Sequence, residues 1–161
     1  MISIKIDLAK QLLTTTDQTT RQPIKHYLIS TAKNGPGEVL GSEKTPRGLH
    51  KIRAKIGANC LENTVFVKRR PTGEIFSEAL QRDFPNRDWI LTRILWLSGC
   101  EREKNRLGQV DTQRRYIYIH GTPDSTSVGI PGSRGCVRMR NQDIIELFDW
   151  VTLGTPVLIV E

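Results

Sequence analysis

The chain opens with strict alternation: Ile2, Ile4, Ile6 and Leu8 fall on one side, Ser3, Lys5 and Asp7 on the other. A period of two sends successive side chains to opposite faces, so this segment is expected to be a half-buried strand. Gln11 to Thr14 reads as its hairpin partner and His26 to Ser30 as a further strand. Asn34-Gly35-Pro36-Gly37 and Thr45-Pro46-Arg47-Gly48 are loops by their turn residues, and His50 to Ile56 alternates again. Thr64 to Val67 predicts a short strand, with a turn at Pro71-Thr72-Gly73. Trp89 to Leu97 is apolar on both faces, the pattern of a central strand. Cys100 to Gln113 is polar and charged, an exposed irregular segment, and Arg115 to Ile119 predicts a strand that delivers His120 at its C-terminal end.

One segment carries a convincing helical period. Asn141 is placed to cap it, Asp143 suits its first turn, and Ile144, Ile145, Phe148 and Val151 form an apolar stripe. Gly154 ends it, and Pro156 to Val160 forms a last strand. No repeat, low-complexity tract or linker interrupts this order, so the expectation is a single, mainly β domain with a late helix.

Composition changes this picture little. A chain of 161 residues, 37% hydrophobic and 25% charged, can bury a core without a metal or a disulfide framework. No apolar run approaches the roughly 18 residues of a membrane span. Met1 to Leu8 lacks the basic and apolar regions of a signal peptide. The net charge of +7 favours polyanions without choosing among them. No aromatic-rich basic motif singles out nucleic acid, and an anionic cell-wall polymer fits equally well. The cysteines, Cys60, Cys100 and Cys136, show no zinc or redox spacing, and neither a metal nor an organic cofactor is implied. A Cys60–Cys100 disulfide requires proximity that spacing does not establish.

The chemistry concentrates between His120 and Met139. Cys136 lies in Ser133-Arg134-Gly135-Cys136-Val137-Arg138, and His120-Gly121 precedes it on the predicted strand. A thiol becomes a nucleophile through a base or a positive field, and His120 with Arg134 and Arg138 could supply both, giving an imidazolium–thiolate pair. The N–H groups of Gly135 and Cys136 are candidates for holding a developing oxyanion. The Gly121 carbonyl is the candidate acceptor for the second imidazole nitrogen, with Asp124 as the alternative. Arg138 has two readings, a partner for a carboxylate of the fold or a substrate ligand. Ser133 is read either as a turn residue or as part of the site. His26 and His50 are read as structural or surface residues, and Lys68-Arg69-Arg70 as a solvated run.

These residues resemble the L,D-transpeptidases of bacterial cell walls, the YkuD-domain family, whose signature is His-Gly, a spacer, then Ser-(His or Arg)-Gly-Cys-(Ile or Val)-Arg. Thr45-Pro46-Arg47-Gly48 and the Gln11 hairpin are similar to that family's upstream elements. The resemblance implies a YkuD-like β-sandwich with one or two short helices, one catalytic domain over residues 1–161. It implies that Cys136 is acylated by a peptidoglycan tetrapeptide stem with loss of D-alanine, and that the acyl group passes to an amine. Cys136, His120 and the Gly121 carbonyl would be catalytic; Ser133, Arg134, Gly135 and Arg138 would shape the oxyanion hole and hold stem carboxylates. Location in the cell envelope or periplasm follows from the same resemblance. Competing readings are an L,D-carboxypeptidase or hydrolase in which water takes the acyl group, and a non-catalytic wall-binding module. The oligomeric state is left open.

Overall fold

A computed structural model describes all 161 residues. The N-terminal alternation forms β1 (Ile2–Asp7), which pairs antiparallel with β2 (Leu12–Asp17). β2 in turn pairs with β3 (Pro23–Ser30). The C-terminal apolar run is β10 (Pro156–Val160), lying parallel to β1 and antiparallel to β4 (Gly48–Ile56). The central strand β7 (Ile90–Gly99) pairs along one edge with β8 (Tyr118–Thr122), which lies parallel to β9 (Val137–Arg140). Because β9 also meets β3 and β4 also meets β7, the ring of eight strands closes. The two packed layers of the expected sandwich are thus joined along both edges, making the sheet barrel-like and leaving only the hairpin of residues 64–75, beyond the ring, with an open edge.

The core follows from the alternation. Ile4, Ile6, Leu13, Ile29, Leu95, Leu97, Ile119 and Val137 are almost fully buried in one cluster. The late helix α2 (Asn141–Trp150) adds Ile144, Leu147 and Phe148 to it. Ile145, expected in the stripe, is half-buried, and Leu147 takes its place. The spacing 144, 147, 148 and 151 keeps a narrower stripe in register with the sheet.

Three other expectations change, and the second short helix that the resemblance allowed for is present. Lys68 and Arg69, not Pro71 to Gly73, make the turn between β5 (Thr64–Val67) and β6 (Arg70–Ile75). Both have positive φ, 48° and 64°, the twist that a two-residue hairpin turn needs. A second, short helix α1 (Glu78–Asp83) follows, capped by Ser77 Oγ accepting from the Leu80 N–H. Its Leu80, with Phe76 from the segment before it, packs on Val65, Trp89 and Leu91. Arg115 and Tyr116 belong to a turn, so His120 sits mid-strand in β8 and not at its end. The pairing with β9 runs on to Thr122, because Gly121 lets β8 lie close against β7. Finally, Asn141 is inside α2 and completely buried, and Arg140 precedes it at the cap position without a capping side chain.

Candidate active site

Parallel pairing of β8 with β9 sets the site. His120 lies opposite Arg138, and Cys136 immediately precedes β9, beside Tyr118. Tyr118, His120, Cys136 and Arg138 all line one cleft of about 610 Å³.

The His120 Nδ1–H donates to the Gly121 carbonyl at 2.6 Å, which fixes the tautomer and leaves Nε2 as the acceptor. Glycine at 121 is required by packing. A Cβ there would stand 2.6 Å from the Leu91 carbonyl oxygen and closer still to the Asn141 side chain. Beneath it, the Thr92 hydroxyl donates to Asn141 Oδ1 at 2.6 Å and accepts from the Asn63 N–H at 3.0 Å. Asn141 Nδ2 donates to Asn63 Oδ1 at 2.9 Å. This buried network holds a bulge in β7 between Leu91 and Ile94, where Thr92 has a φ of 75°. A β-branched residue at positive φ is strained by about 1–3 kcal/mol and persists only when its surroundings hold it.

The loop that carries Cys136 is clamped from two directions. Thr45 Oγ1 donates to the Gly135 carbonyl at 2.9 Å and accepts from the Ala32 N–H at 3.0 Å. Ser133 Oγ donates to the Cys136 carbonyl at 2.6 Å and accepts from the Gly135 N–H at 3.1 Å. Of the two N–H groups expected to face an oxyanion, that of Gly135 is therefore already engaged. Gly135 itself has a φ of 134°, where a side chain would be strained and would press on Ile117 and the Lys44 carbonyl.

Cys136 Sγ accepts from the Tyr118 N–H at 3.3 Å and donates to the Tyr116 carbonyl at 3.4 Å, so it is not hydrogen-bonded to His120. Burial pushes the thiol up from 9.0 to about 12, against the Tyr118 N–H, Arg138 and Arg115, which favour the thiolate; Asp88 opposes them. Burial likewise lowers the His120 imidazole below its ordinary 6.5. Both shifts favour neutral thiol beside neutral imidazole over the imidazolium–thiolate that the flanking arginines suggested. Burial outweighs the positive charges because the thiolate would lose more hydration than they return.

The sequence profile of the YkuD family, described as the L,D-transpeptidase catalytic domain, matches residues 2–159. The chain belongs to this family. ErfK/SrfK of Salmonella typhimurium, named a probable L,D-transpeptidase, is 47% identical over 47 residues, 29% of this chain and 15% of that protein. YbiS of Escherichia coli K12, also named a probable L,D-transpeptidase, is 45% identical over 47 residues, with the same shares. Among solved structures, Bd1075 of Bdellovibrio bacteriovorus superposes with a TM-score of 0.62 at 20% identity, covering 99% of this chain and 47% of that one. L,D-transpeptidase 3 of Mycobacterium tuberculosis, solved with a faropenem-derived adduct, gives 0.60 at 13% identity, covering 99% and 60%. The chain thus spans well under two thirds of these relatives, and the solved structures speak to the fold alone.

Several residues of this L,D-transpeptidase domain's cleft carried no sequence signal. Asp88 pairs with Arg138 at 3.1 Å, while Arg138 also donates to the Gly132 carbonyl at 3.2 Å. Arg69, within a run read as solvated, stacks 4.8 Å from the ring centres of both Trp96 and Tyr116 and donates to the Tyr118 hydroxyl at 3.0 Å. Arg115 lines the cleft while donating to the carbonyls of Gly37 and Lys44, tying down the loop before Thr45. Arg134 lines the rim, exposed and without an acidic partner. Cys60 and Cys100 are free thiols, and His26 and His50 lie outside the cleft. No helix is long and apolar enough to cross a membrane.

Proposed function

We propose that the domain is an L,D-transpeptidase acting on peptidoglycan tetrapeptide stems through a Cys136 thioester. The observation that carries this reading is the locked His120 tautomer, whose free Nε2 shares one cleft with Cys136. As the stem enters, His120 Nε2 takes the thiol proton while Sγ attacks the carbonyl of the residue before the terminal D-alanine. The carbonyl π electrons move to its oxygen, and the Cys136 N–H and nearby cationic side chains stabilise that charge. When the oxyanion collapses, the C–N bond breaks and the D-alanine amine leaves with the proton from His120. An acceptor amine then attacks the thioester, gives its proton to His120, and the thiol is restored. A thiol held neutral until substrate arrives suits this sequence, because deprotonation is coupled to attack.

Five cationic side chains, Lys68, Arg69, Arg115, Arg134 and Arg138, line the cleft against one acid, Asp88, itself paired with Arg138. This imbalance supports recognition of the stem's carboxylates, with Arg69 held ready by its aromatic stack. The cell envelope is the corresponding location. Intact mass spectrometry of wild type and Cys136→Ala with a disaccharide-tetrapeptide tests the reading. An adduct on wild type only, with release of D-alanine, is expected; undiminished turnover by Cys136→Ala would sink it.

A further inference from the structure

Trp96 of β7 stacks under Arg69 of the cleft and donates to the carbonyl of Gln113, which lines a second, polar pocket of about 490 Å³ that shares no residue with the cleft. Lys51 and Arg53 of β4 and Arg106 of the loop after β7, all three exposed, line this pocket, and none of them forms an ion pair. The only acid in the lining, Asp111, accepts from the backbone N–H groups of Leu107 and Arg114, so three cations face one anion. Ser98, paired with Lys51 across the β4–β7 ladder, lies in the pocket wall and is 93% buried, yet its hydroxyl has no hydrogen-bond partner. A buried hydroxyl without a partner is unfavourable, so one beside three free cations points to a ligand at this place.

We propose that this pocket binds a phosphate group. The three cationic side chains offer only donors and the Ser98 hydroxyl can donate too, so a tetrahedral dianion can take Lys51, Arg53, Arg106 and Ser98 from different directions. A planar monoanionic carboxylate has fewer oxygens and half the charge for the same donors. Cys100, exposed at the rim, is placed to report occupancy.

The test is calorimetric titration of the whole chain with inorganic phosphate at low ionic strength, with chloride as control. One saturable site is expected for phosphate alone, weakened at least about tenfold by Arg53→Glu with Arg106→Glu, and about tenfold by Ser98→Ala. Ser98→Ala removes no existing hydrogen bond, so it keeps the question decidable should the charge reversals unfold the chain. Peptide-resolved alkylation should slow at Cys100 and not at Cys60 when phosphate is present. Unsaturable heats, equal binding of chloride, or full affinity in Ser98→Ala would each overturn the proposal. Displacement by glycerol 3-phosphate would support the site with an esterified phosphate as its source; phosphate binding without such displacement would support the free anion.

Discussion

The neutral resting state of Cys136 has a measurable consequence. Raising the thiol from 9.0 to about 12 lowers its thiolate fraction at neutral pH about a thousandfold. Alkylation by iodoacetamide proceeds through the thiolate, so its pH dependence reads this shift directly. The assay is peptide-resolved alkylation over a pH series, in the folded chain and in urea. In urea the Cys136 rate should level off about a unit above the ordinary thiol value. In the folded chain it should still be rising, close to tenfold per pH unit, at about pH 10. Steric protection lowers the whole curve without moving its bend, so the shape is decisive. Asp88→Asn provides the internal check: it removes a charge that raises the thiol and releases Arg138, which lowers it. Its bend should therefore move to lower pH. A plateau near about pH 8 in the folded wild type would refute the reasoning and restore the preformed ion pair.

Three further outcomes follow from the same contacts. His120 must be neutral to accept the thiol proton, and burial lowers its pKa, so the acid limb of kcat/KM should lie below 6.5; a limb at or above that value would contradict it. His50 is wholly buried between the Gly48 carbonyl at 3.0 Å and Thr112 Oγ1 at 2.9 Å, with a pKa lowered to about 4. The unfolded chain binds a proton there first, so stability should fall by about 3 kcal/mol as pH drops from 6.5 to 4, and urea melts of His50→Gln should lose that part of the slope. Asn141→Ala should destabilise the domain by about 1–3 kcal/mol in urea, since Thr92 and Asn63 lose their buried partner, and should depress kcat more than it raises KM.

The fold was legible wherever burial imposed a period. β1, β4, β7 and β10 announce themselves because one or both of their faces meet the core, and α2 because its stripe does the same. Closure of the sheet was not legible, because the β4–β7 pairing joins segments roughly forty residues apart through backbone bonds that leave no side-chain pattern. Helix α1 escaped for a similar reason: with six residues, none fully buried, and Leu80 its one large apolar side chain, it shows no period, and its one signal was Ser77 as a cap. Asn141 was misassigned because asparagine is favoured at caps; here the neighbouring bulge claims its amide in the interior.

The site shows the same division at closer range. Cys136, His120, Gly121 and the arginines near them are contiguous in two short motifs, so residue type and spacing reveal them. What sets their electrostatics arrives from elsewhere in the chain. Asp88 comes from the segment before β7, Arg115 from the turn before β8, and Arg69 from the β5–β6 turn. Adjacency in sequence made Arg134 and Arg138 look like the charges that ionise Cys136; Arg138 does bear on the thiol, but its companion is Arg115. Arg138 is partly neutralised by Asp88. A ligand carboxylate that drew Arg138 away from Asp88 would change both charges near Sγ, bringing the cation to the ligand and leaving the anion behind. Unpaired Arg69 and Arg134 can bind such a carboxylate without that exchange. The cleft can therefore bind an anionic ligand without removing Asp88 from Arg138, and on the proposed mechanism Cys136 would then keep its proton until His120 takes it during attack.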